Sequence, residues 1–304
     1  MQDQGLYNKF NVTRADGRHA AGEKHADCEY FVLDVSHDKH ALPALIAYAD
    51  SCEADYPLLS ADLRSKATAS IGANNAFVTV PETTLPGGQV VPSFQVGQYL
   101  CAKGPMGIPQ VAAMSQPWVE INYAEARQAC AAAGLSLITE LQALAIAHDI
   151  VNQGINWAGG AVGEGKVFQG LHKGSVNSAQ HGDFVSDNPE ERRWHQLSNG
   201  ARVFDFAGNA YSWVFDDVQG DEQGLIAKPF ADDSPSIATA PYPSMENGMG
   251  WRPDAGADWS GNALVRGGCW NDGDCAGAFL LDDGWPDLRR DDVGFRCTKP
   301  SSGL

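Results

Sequence analysis

The sequence predicts an α+β fold, with helices early in the chain and irregular β-structure late. Apolar residues recur at helical spacing in a few segments before residue 154, whereas beyond it short apolar patches alternate with Gly, Asn, Asp and Pro. The chain carries 33 Gly and 8 Trp, so large rings are available to pin loop-rich backbone. With 43% apolar residues among 304, the chain is long enough for one large domain with a small appendage.

The chain is strongly acidic, with 38 Asp and Glu against 21 Lys and Arg and a formal charge of −17. Nucleic acid and anionic membranes would repel it, so we expect neither as a partner. No apolar run approaches the length of a membrane span, and no secretory signal opens the chain, which favours a cytoplasmic or virion-associated protein without membrane insertion. Seven cysteines without a C-x-x-C pair predict reduced thiols in a core and no zinc site.

Residues 1–67 are predicted to form a small N-terminal α/β unit. The apolar run Glu29–Val35 is rich in β-formers and predicts a strand. Apolar spacing predicts a helix over Ala41–Cys52, and a second short helix is expected after Pro57. The small and polar segment Lys66–Asn75 is the best candidate for a linker to the next unit.

Residues 68–304 are predicted to form the main domain. It opens on β-rich segments at Phe77–Val80, Val90–Val91 and Phe94–Val96. A helix is expected from the N-cap Asn122 to Gly134. A second is expected from Thr139, whose spacing to Gln142 is that of a capping box, to about residue 154.

The segment 271–292 is the most informative part of the chain for function. It holds seven Asp and two Arg, a formal charge of −5, and shows neither helical nor strand periodicity. The sequences on either side, Val265–Gly268 and Val293–Cys297, look like strands with glycines where backbones pack closely. A segment of this kind cannot build a core, so we expect it to lie on the surface of a rigid scaffold, where binding residues are usually placed.

Several motifs resemble the formylglycine-generating-enzyme-like proteins, and they occur in that family's order over about 90–300. They are Phe94–Tyr99, Pro117–Ala126, Ala133–Glu140, Phe206–Trp213 and the Arg-Gly-Gly…Gly-Phe-Arg frame of the C-terminus. The resemblance implies a C-type-lectin-like fold of the formylglycine-generating subset. This family includes enzymes and non-enzymes, so the site residues must decide the function.

The enzymes of this family imply an alternative function, a copper oxidase that acts on a substrate cysteine. Their copper-binding cysteines are separated by four residues, whereas Cys269 and Cys275 are separated by five, and Cys269 stands where the family has Ser. A one-residue shift on a strand turns a side chain to the other face, so the pair is displaced from the copper site. Related sulfoxide synthases need an iron-binding histidine set, and no His follows His195. We therefore expect no catalytic residues and no enzyme activity.

The C-terminal segment more closely resembles the variable region of proteins diversified by retroelements. The resemblance implies a variable, ligand-binding region over about 269–297, on a scaffold held by Trp270, Ala276–Phe279, Trp285–Pro286 and Val293–Arg296. Positions between these anchors are the candidate ligand contacts: Asn271, Asp272, Asp274, Cys275, Leu280, Asp282, Asp283, Gly284, Asp287, Leu288, Arg289 and Arg290.

The expected partner is a protein or glycan bound non-catalytically by this C-terminal surface, and its acidic charge favours basic or amine-bearing partners. A phage particle or a cell surface is the expected carrier. No cofactor and no metal ligand is expected. A calcium site at the acidic cluster Asp216, Asp217, Asp221 and Glu222 is the alternative, although its spacing is not that of an EF-hand. The resemblance also implies a calcium loop, in which Ser212 stands at the position of the family's carboxylate, although Asp205 could still contribute.

Overall fold

A computed structural model describes residues 10–35, 38, 40–73, 75–238 and 245–299. By its internal contacts the chain divides into two compact units, Met1–Ser70 and Ile71–Leu304, and each is described by itself. The predicted boundary between residues 67 and 68, and the predicted limits of the variable region at about 269 and 297, stay predictions. None of the described helices is both long and apolar enough to cross a membrane.

The first unit is helical. Helix α1 spans Ala41–Cys52 and helix α2 spans Pro57–Ala73, which confirms the two predicted helices. The segment Lys66–Asn75, predicted as the linker, contains the boundary between the two compact units, and it continues helix α2 as far as Ala73. The predicted strand Glu29–Val35 is wrong. Its described backbone forms no ladder, and Phe31 is 75% exposed, because β-forming residues make a strand only where a partner edge is available.

In the second unit, both predicted helices begin at the predicted caps. Helix α3 spans Tyr123–Ala132, and its N-cap Asn122 forms a capping box with Glu125. Helix α4 spans Glu140–Val151, and its N-cap Thr139 forms the predicted capping box with Gln142. Each box satisfies backbone N–H groups that the first helical turn leaves without a partner.

The strands of the described residues are short and are spread over both halves of the unit, seven before residue 140 and seven after residue 190. They are β1 Phe77–Val80, β2 Thr83–Thr84, β3 Val90–Val91, β4 Phe94–Gly97, β5 Ala102–Lys103, β6 Pro109–Gln110, β7 Ser136–Leu137, β8 Trp194–Gln196, β9 Arg202–Phe204, β10 Tyr211–Val214, β11 Ala263–Gly267, β12 Gly277–Gly284, β13 Val293–Phe295 and β14 Cys297–Lys299. The two α-helices and these sheets confirm the α+β class for the second unit.

Two four-stranded sheets organise the second unit. Their strand orders are β1-β4-β14-β7 and β12-β11-β10-β13, and short two-stranded ribbons complete it. In the second sheet β10 pairs antiparallel with β11 and parallel with β13, while β11 pairs antiparallel with β12. Strands β12 and β13 therefore run in the same direction at opposite edges of the sheet. The residues that join them, 285–292, are called the crossover segment below.

The core lies between helix α4 and the second sheet. Ten of the twelve residues of α4 are buried, all except Leu141 and Gln142, and so are all residues of β11. An ion pair crosses this core: Arg266 Nε donates to Glu140 Oε2 at 2.6 Å, and Nη2 donates to Oε1. Because Glu140 opens helix α4 and Arg266 lies on β11, this pair fixes the helix against the strand beside the candidate site.

A candidate binding surface at the C-terminal sheet

The turn that follows β11 is held by backbone contacts. Gly268 has φ +88°, and a Cβ there would lie 2.9 Å from Ala276, so glycine is required. The Asp272 carboxylate accepts a hydrogen bond from the Cys269 N–H at 2.7 Å, and the Gly273 N–H donates to the His172 carbonyl at 2.8 Å. The backbone of this turn is therefore fixed, while Asn271, Asp274 and Cys275 are exposed.

Cys269 and Cys275 lie in different environments. The Cys269 thiol is buried and donates to Asn271 Oδ1 at 3.0 Å, and burial raises the pKa of this thiol well above its usual range. Cys275 is exposed. Copper binding by two cysteines requires convergent thiolates, and a buried protonated thiol beside an exposed one is a poor donor set.

Asp272 and Asp274 are both tied to neighbours. Asp272 is half-buried and hydrogen-bonded to Tyr211, whose pKa burial raises strongly. Asp274 Oδ1 lies 3.1 Å from Lys173 Nζ and 3.5 Å from Lys166 Nζ. The hydrogen bond from Lys173 lowers the pKa of Asp274, so this carboxylate is charged and largely neutralised by the lysines.

Two of the predicted contact residues lie inside the protein. Leu280 is 1% exposed and packs beside Gly250, and Gly284 is buried with its Cα facing the ring of Trp213, which a Cβ would meet at 2.9 Å. The prediction of ligand contacts at Leu280 and Gly284 is therefore wrong. Both lie on β12, whose residues 277–281 are buried, and the uninterrupted apolar run at 276–281 is the local signal that could have shown this cover for Leu280.

The end of β12 presents two carboxylates. Asp282 and Asp283 are half-buried, and Asp283 accepts a hydrogen bond from the Asn262 amide. The Asp283 backbone N–H donates to Asp282 Oδ1 at 2.9 Å. Burial raises the pKa of Asp282, which marks a carboxylate partly withdrawn from water.

The crossover segment is pinned through its backbone carbonyls. The Pro286 carbonyl accepts from the Tyr123 N–H at 3.1 Å, and the Arg290 carbonyl accepts from the Glu120 N–H at 2.8 Å. Within the segment, the Leu288 N–H donates to the Trp285 carbonyl at 2.9 Å. These bonds hold the backbone without using the side chains.

Side chains of the crossover segment project outward. Asp287, Arg289 and Arg290 are exposed, as predicted for ligand contacts, and Leu288 is half-buried against the core cluster of Trp213. Arg289 Nη2 lies 2.5 Å from Glu125 Oε1, and Arg290 Nε lies 2.7 Å from Asp292 Oδ1. Both arginines are therefore neutralised by carboxylates of the protein itself.

Trp285 is the main residue that sequence reasoning placed wrongly. The sequence favours a scaffold anchor that packs inward and leaves a ligand-contacting Trp as the alternative, but the side chain is 67% exposed. Trp270, by contrast, is 7% exposed and packs inward as predicted. A Trp beside Gly or Pro does not reveal its own burial, because burial depends on which distant segment covers it. Exposed Trp is a frequent energetic centre of binding surfaces.

The charge that remains on this surface is negative. Asp274 and Asp292 face Lys and Arg side chains, whereas among the described residues no salt bridge neutralises Asp282, Asp283 or Asp287. An exposed aromatic side chain beside several uncompensated carboxylates suits a ligand that carries a cationic group.

The acidic cluster considered for calcium is engaged in local hydrogen bonds. Asp217 Oδ1 accepts from the Leu141 N–H at 2.9 Å at the start of helix α4, and Asp221 Oδ1 accepts from the N–H groups of Gln223 and Leu225. Both oxygens of Asp205 bind the guanidinium of Arg193, at 2.7 and 2.6 Å. Across the described ranges, no three His, Cys, Asp or Glu side chains are placed to hold a metal ion.

Solved structures similar to this chain include variable proteins, the group that the C-terminal sequence resembles. Treponema denticola variable protein 1 is 14% identical over 74% of this chain and 92% of its own, with a TM-score of 0.38. PvdO from Pseudomonas aeruginosa is 15% identical over 73% and 93%, with a TM-score of 0.34. The Major Tropism Determinant P3c variant is 10% identical over 71% of this chain and 51% of its own, with a TM-score of 0.34.

With TM-scores below 0.4, these matches assign neither a fold nor a function to this chain. No protein-family model matches the sequence, and no curated protein does.

Proposed function

We propose that this chain is a non-catalytic recognition protein whose C-terminal surface is diversified by a retroelement and binds a protein or glycan. The observation that carries the proposal is the crossover segment. Its backbone is fixed through the carbonyls of Pro286 and Arg290, while Trp285 and Asp287 project into solvent. Residue identity in such a segment is free to change without loss of the fold, as a diversified surface requires.

The binding surface comprises the turn at 271–275, the end of β12 and the crossover segment. Its contact residues are Asn271, Asp272, Asp274, Cys275, Asp282, Asp283, Trp285, Asp287, Leu288, Arg289 and Arg290. Trp285 supplies apolar area, and Asp282, Asp283 and Asp287 supply negative charge. The partner therefore carries a basic or amine group beside a face that stacks on an indole ring.

Genomic sequencing around this gene tests the proposal. A near-copy of the codons for about 269–297, differing mainly at adenines and lying beside a reverse-transcriptase gene, is the expected result. The absence of both features near the gene would contradict diversification by a retroelement.

Binding is tested on an array of glycans and basic peptides, at low and at physiological ionic strength. Trp285→Ala is expected to weaken the binding of each ligand that the array identifies by about 2 kcal/mol, roughly 30-fold in Kd. Val185→Ala removes an apolar side chain that is exposed to 81% outside this surface, and it serves as the matched control. Equal binding by both variants would place the contact elsewhere. Binding that is insensitive to salt would contradict the role of the carboxylates.

The copper-oxidase alternative is tested by titrating the reduced protein with Cu(I). A stoichiometric site that is lost in both Cys269→Ser and Cys275→Ser would support the oxidase and contradict a non-catalytic role. We expect no such site, because Cys269 is buried and protonated whereas Cys275 is exposed.

A further inference from the structure

Three cysteines that the binding surface does not use converge in the interior of the second unit. Cys101 precedes β5, Cys130 lies on helix α3 and Cys297 begins β14. Their side chains are fully buried in the same apolar cluster. Segments that are far apart in sequence thus bring three thiols together.

The contact between Cys101 and Cys297 is unusually close. Their Sγ atoms lie 3.0 Å apart, and the residues are separated by 196 positions. Cys130 also hydrogen-bonds to Cys297. Two sulfur atoms at this separation are well inside ordinary van der Waals contact, so only a small further approach separates them from a covalent bond of about 2.05 Å.

The backbones that carry Cys101 and Cys297 are neighbours. The Cys101 N–H donates to the Phe295 carbonyl at 2.9 Å, two residues before Cys297, and its own carbonyl accepts from the Trp118 N–H at 2.7 Å. Cys297 is itself paired with Leu137 of β7. Main-chain bonds thus hold both residues in neighbouring segments of the backbone.

The electrostatics of the cluster distinguish the two thiols. Burial raises the pKa of Cys101. Hydrogen bonds from the Cys101 and Cys130 thiols, with a smaller contribution from the Arg296 guanidinium, lower the pKa of Cys297. Arg296 is buried, and its guanidinium donates to the Gly97 carbonyl at 2.6 Å. Cys297 is therefore the better nucleophile of the two.

We propose that Cys101 and Cys297 are a covalent modification site, at which a disulfide forms and ties β14 to the segment before β5. The oxidant is a small-molecule disulfide such as glutathione disulfide, which reaches the two sulfurs while the chain folds, before the cluster is closed to solvent. The Cys297 thiolate attacks one of its sulfurs, which forms a mixed disulfide and releases one glutathione thiolate. Cys101 then loses its proton and attacks the Cys297 sulfur, which releases the second glutathione thiolate. Two electrons pass from the protein to glutathione.

The cross-link would stabilise the fold by restricting the unfolded chain. It closes a loop that spans most of the second unit, from Cys101 to the last described strand. For so long a loop the expected increase in Tm is about 10 °C. The scaffold would thus be stabilised without any change to the binding surface.

The test uses the full chain carrying Cys28→Ser and Cys275→Ser, which removes the exposed thiols. The protein is refolded from denaturant in a glutathione redox buffer, so that the buried sulfurs are accessible while the bond forms. Free thiols are then alkylated, and linked peptides are mapped by mass spectrometry without reduction. A Cys101–Cys297 peptide as the dominant link, with a Tm about 10 °C above that of the reduced protein, is the expected result.

Matched variants separate this pairing from its competitors. Cys130→Ala is expected to keep the link and the Tm increase, whereas Cys101→Ala is expected to lose both. A dominant link that involves Cys130 or Cys52, or fully alkylated thiols at every glutathione ratio, would overturn the proposal. If Cys101→Ala does not refold, the linked-peptide map and the Cys130→Ala variant decide alone.

Discussion

Strand β12 and the crossover segment follow one another in the chain, and both contain candidate contact positions, yet their side chains are buried to very different extents. On β12, Leu280 is buried although it lies between candidate contact positions. One residue after the strand ends, Trp285 is the most exposed tryptophan of the chain's described part. Both backbones are fixed, β12 by its ladder with β11 and the crossover segment by carbonyls bound to N–H groups of Tyr123 and Glu120.

The difference shows that fixing a backbone and burying its side chains are separate matters. Strand β12 is flanked by helix α4 and by the loop around Gly250, so its side chains are enclosed. The crossover segment is bound from one side only. Trp285, Asp287, Arg289 and Arg290 project into solvent, whereas Leu288 is half-buried and Asp292 is buried. A diversified position belongs on the second kind of backbone, because substitution there costs little stability.

The largest expected effect on stability comes from breaking the buried ion pair between Arg266 on β11 and Glu140 on helix α4. Arg266→Met leaves the Glu140 carboxylate buried without its partner, and the free energy of unfolding should fall by about 3–5 kcal/mol in urea denaturation. Arg289→Met breaks the exposed pair with Glu125 and is the control, with an expected loss of about 0.5 kcal/mol. Equal losses would show that burial does not distinguish the two regions.

Leucine truncation compares the two backbones directly. Leu280→Ala should lower the free energy of unfolding by about 3 kcal/mol, because it opens a cavity on β12. Leu288→Ala, in the half-buried position of the crossover segment, should cost about 1 kcal/mol. The same denaturation experiment measures both, and a larger loss for Leu288→Ala would reverse the assignment of β12 as the scaffold.

Acid should lower the free energy of unfolding through a histidine that packs on β12. Burial lowers the pKa of His148, which packs on Phe279 of β12, to about 4. The His148 side chain takes up a proton near pH 6.5 in the unfolded state but not in the folded state. Its contribution to the free energy of unfolding is therefore fully present above pH 6.5 and is lost as the pH falls towards 4. His148→Gln should reduce the loss of stability between pH 7 and pH 5 by about 2 kcal/mol. Burial of His195 acts in the same direction, so its contribution remains in the variant. An unchanged pH dependence would mean that His148 is protonated in the folded protein.

The smallest expected effect on stability is at the surface itself. Trp285→Ala should change Tm by less than about 2 °C, because the ring covers little of the protein. A thermal melt measures it, with Trp270→Ala, which removes a buried ring, as the destabilised reference. A large fall in Tm for Trp285→Ala would assign the residue to the scaffold and remove it from the proposed contacts.

Local signals predicted the scaffold better than they predicted the surface. The caps Asn122 and Thr139 act within four residues, so the sequence reveals helices α3 and α4 with their starting points. The exposure of Trp285 depends on which distant segments approach it, and no local pattern records that. The burial of Leu280, by contrast, is indicated by the uninterrupted apolar run at 276–281. The strand predicted around Phe31 is wrong because a strand exists only where a partner edge is present, and no local pattern shows such an edge.

The geometry of the second sheet also limits the length of the crossover segment. Its ends, Gly284 and Val293, are three strand spacings apart and about four residues apart along the strands, a separation of roughly 20 Å. The connection between them reaches at most about 30 Å when fully extended. Removing about four residues would leave it too short to close the sheet. The exposed side chains of this segment can therefore change without affecting closure of the sheet, but the segment can lose only a few residues.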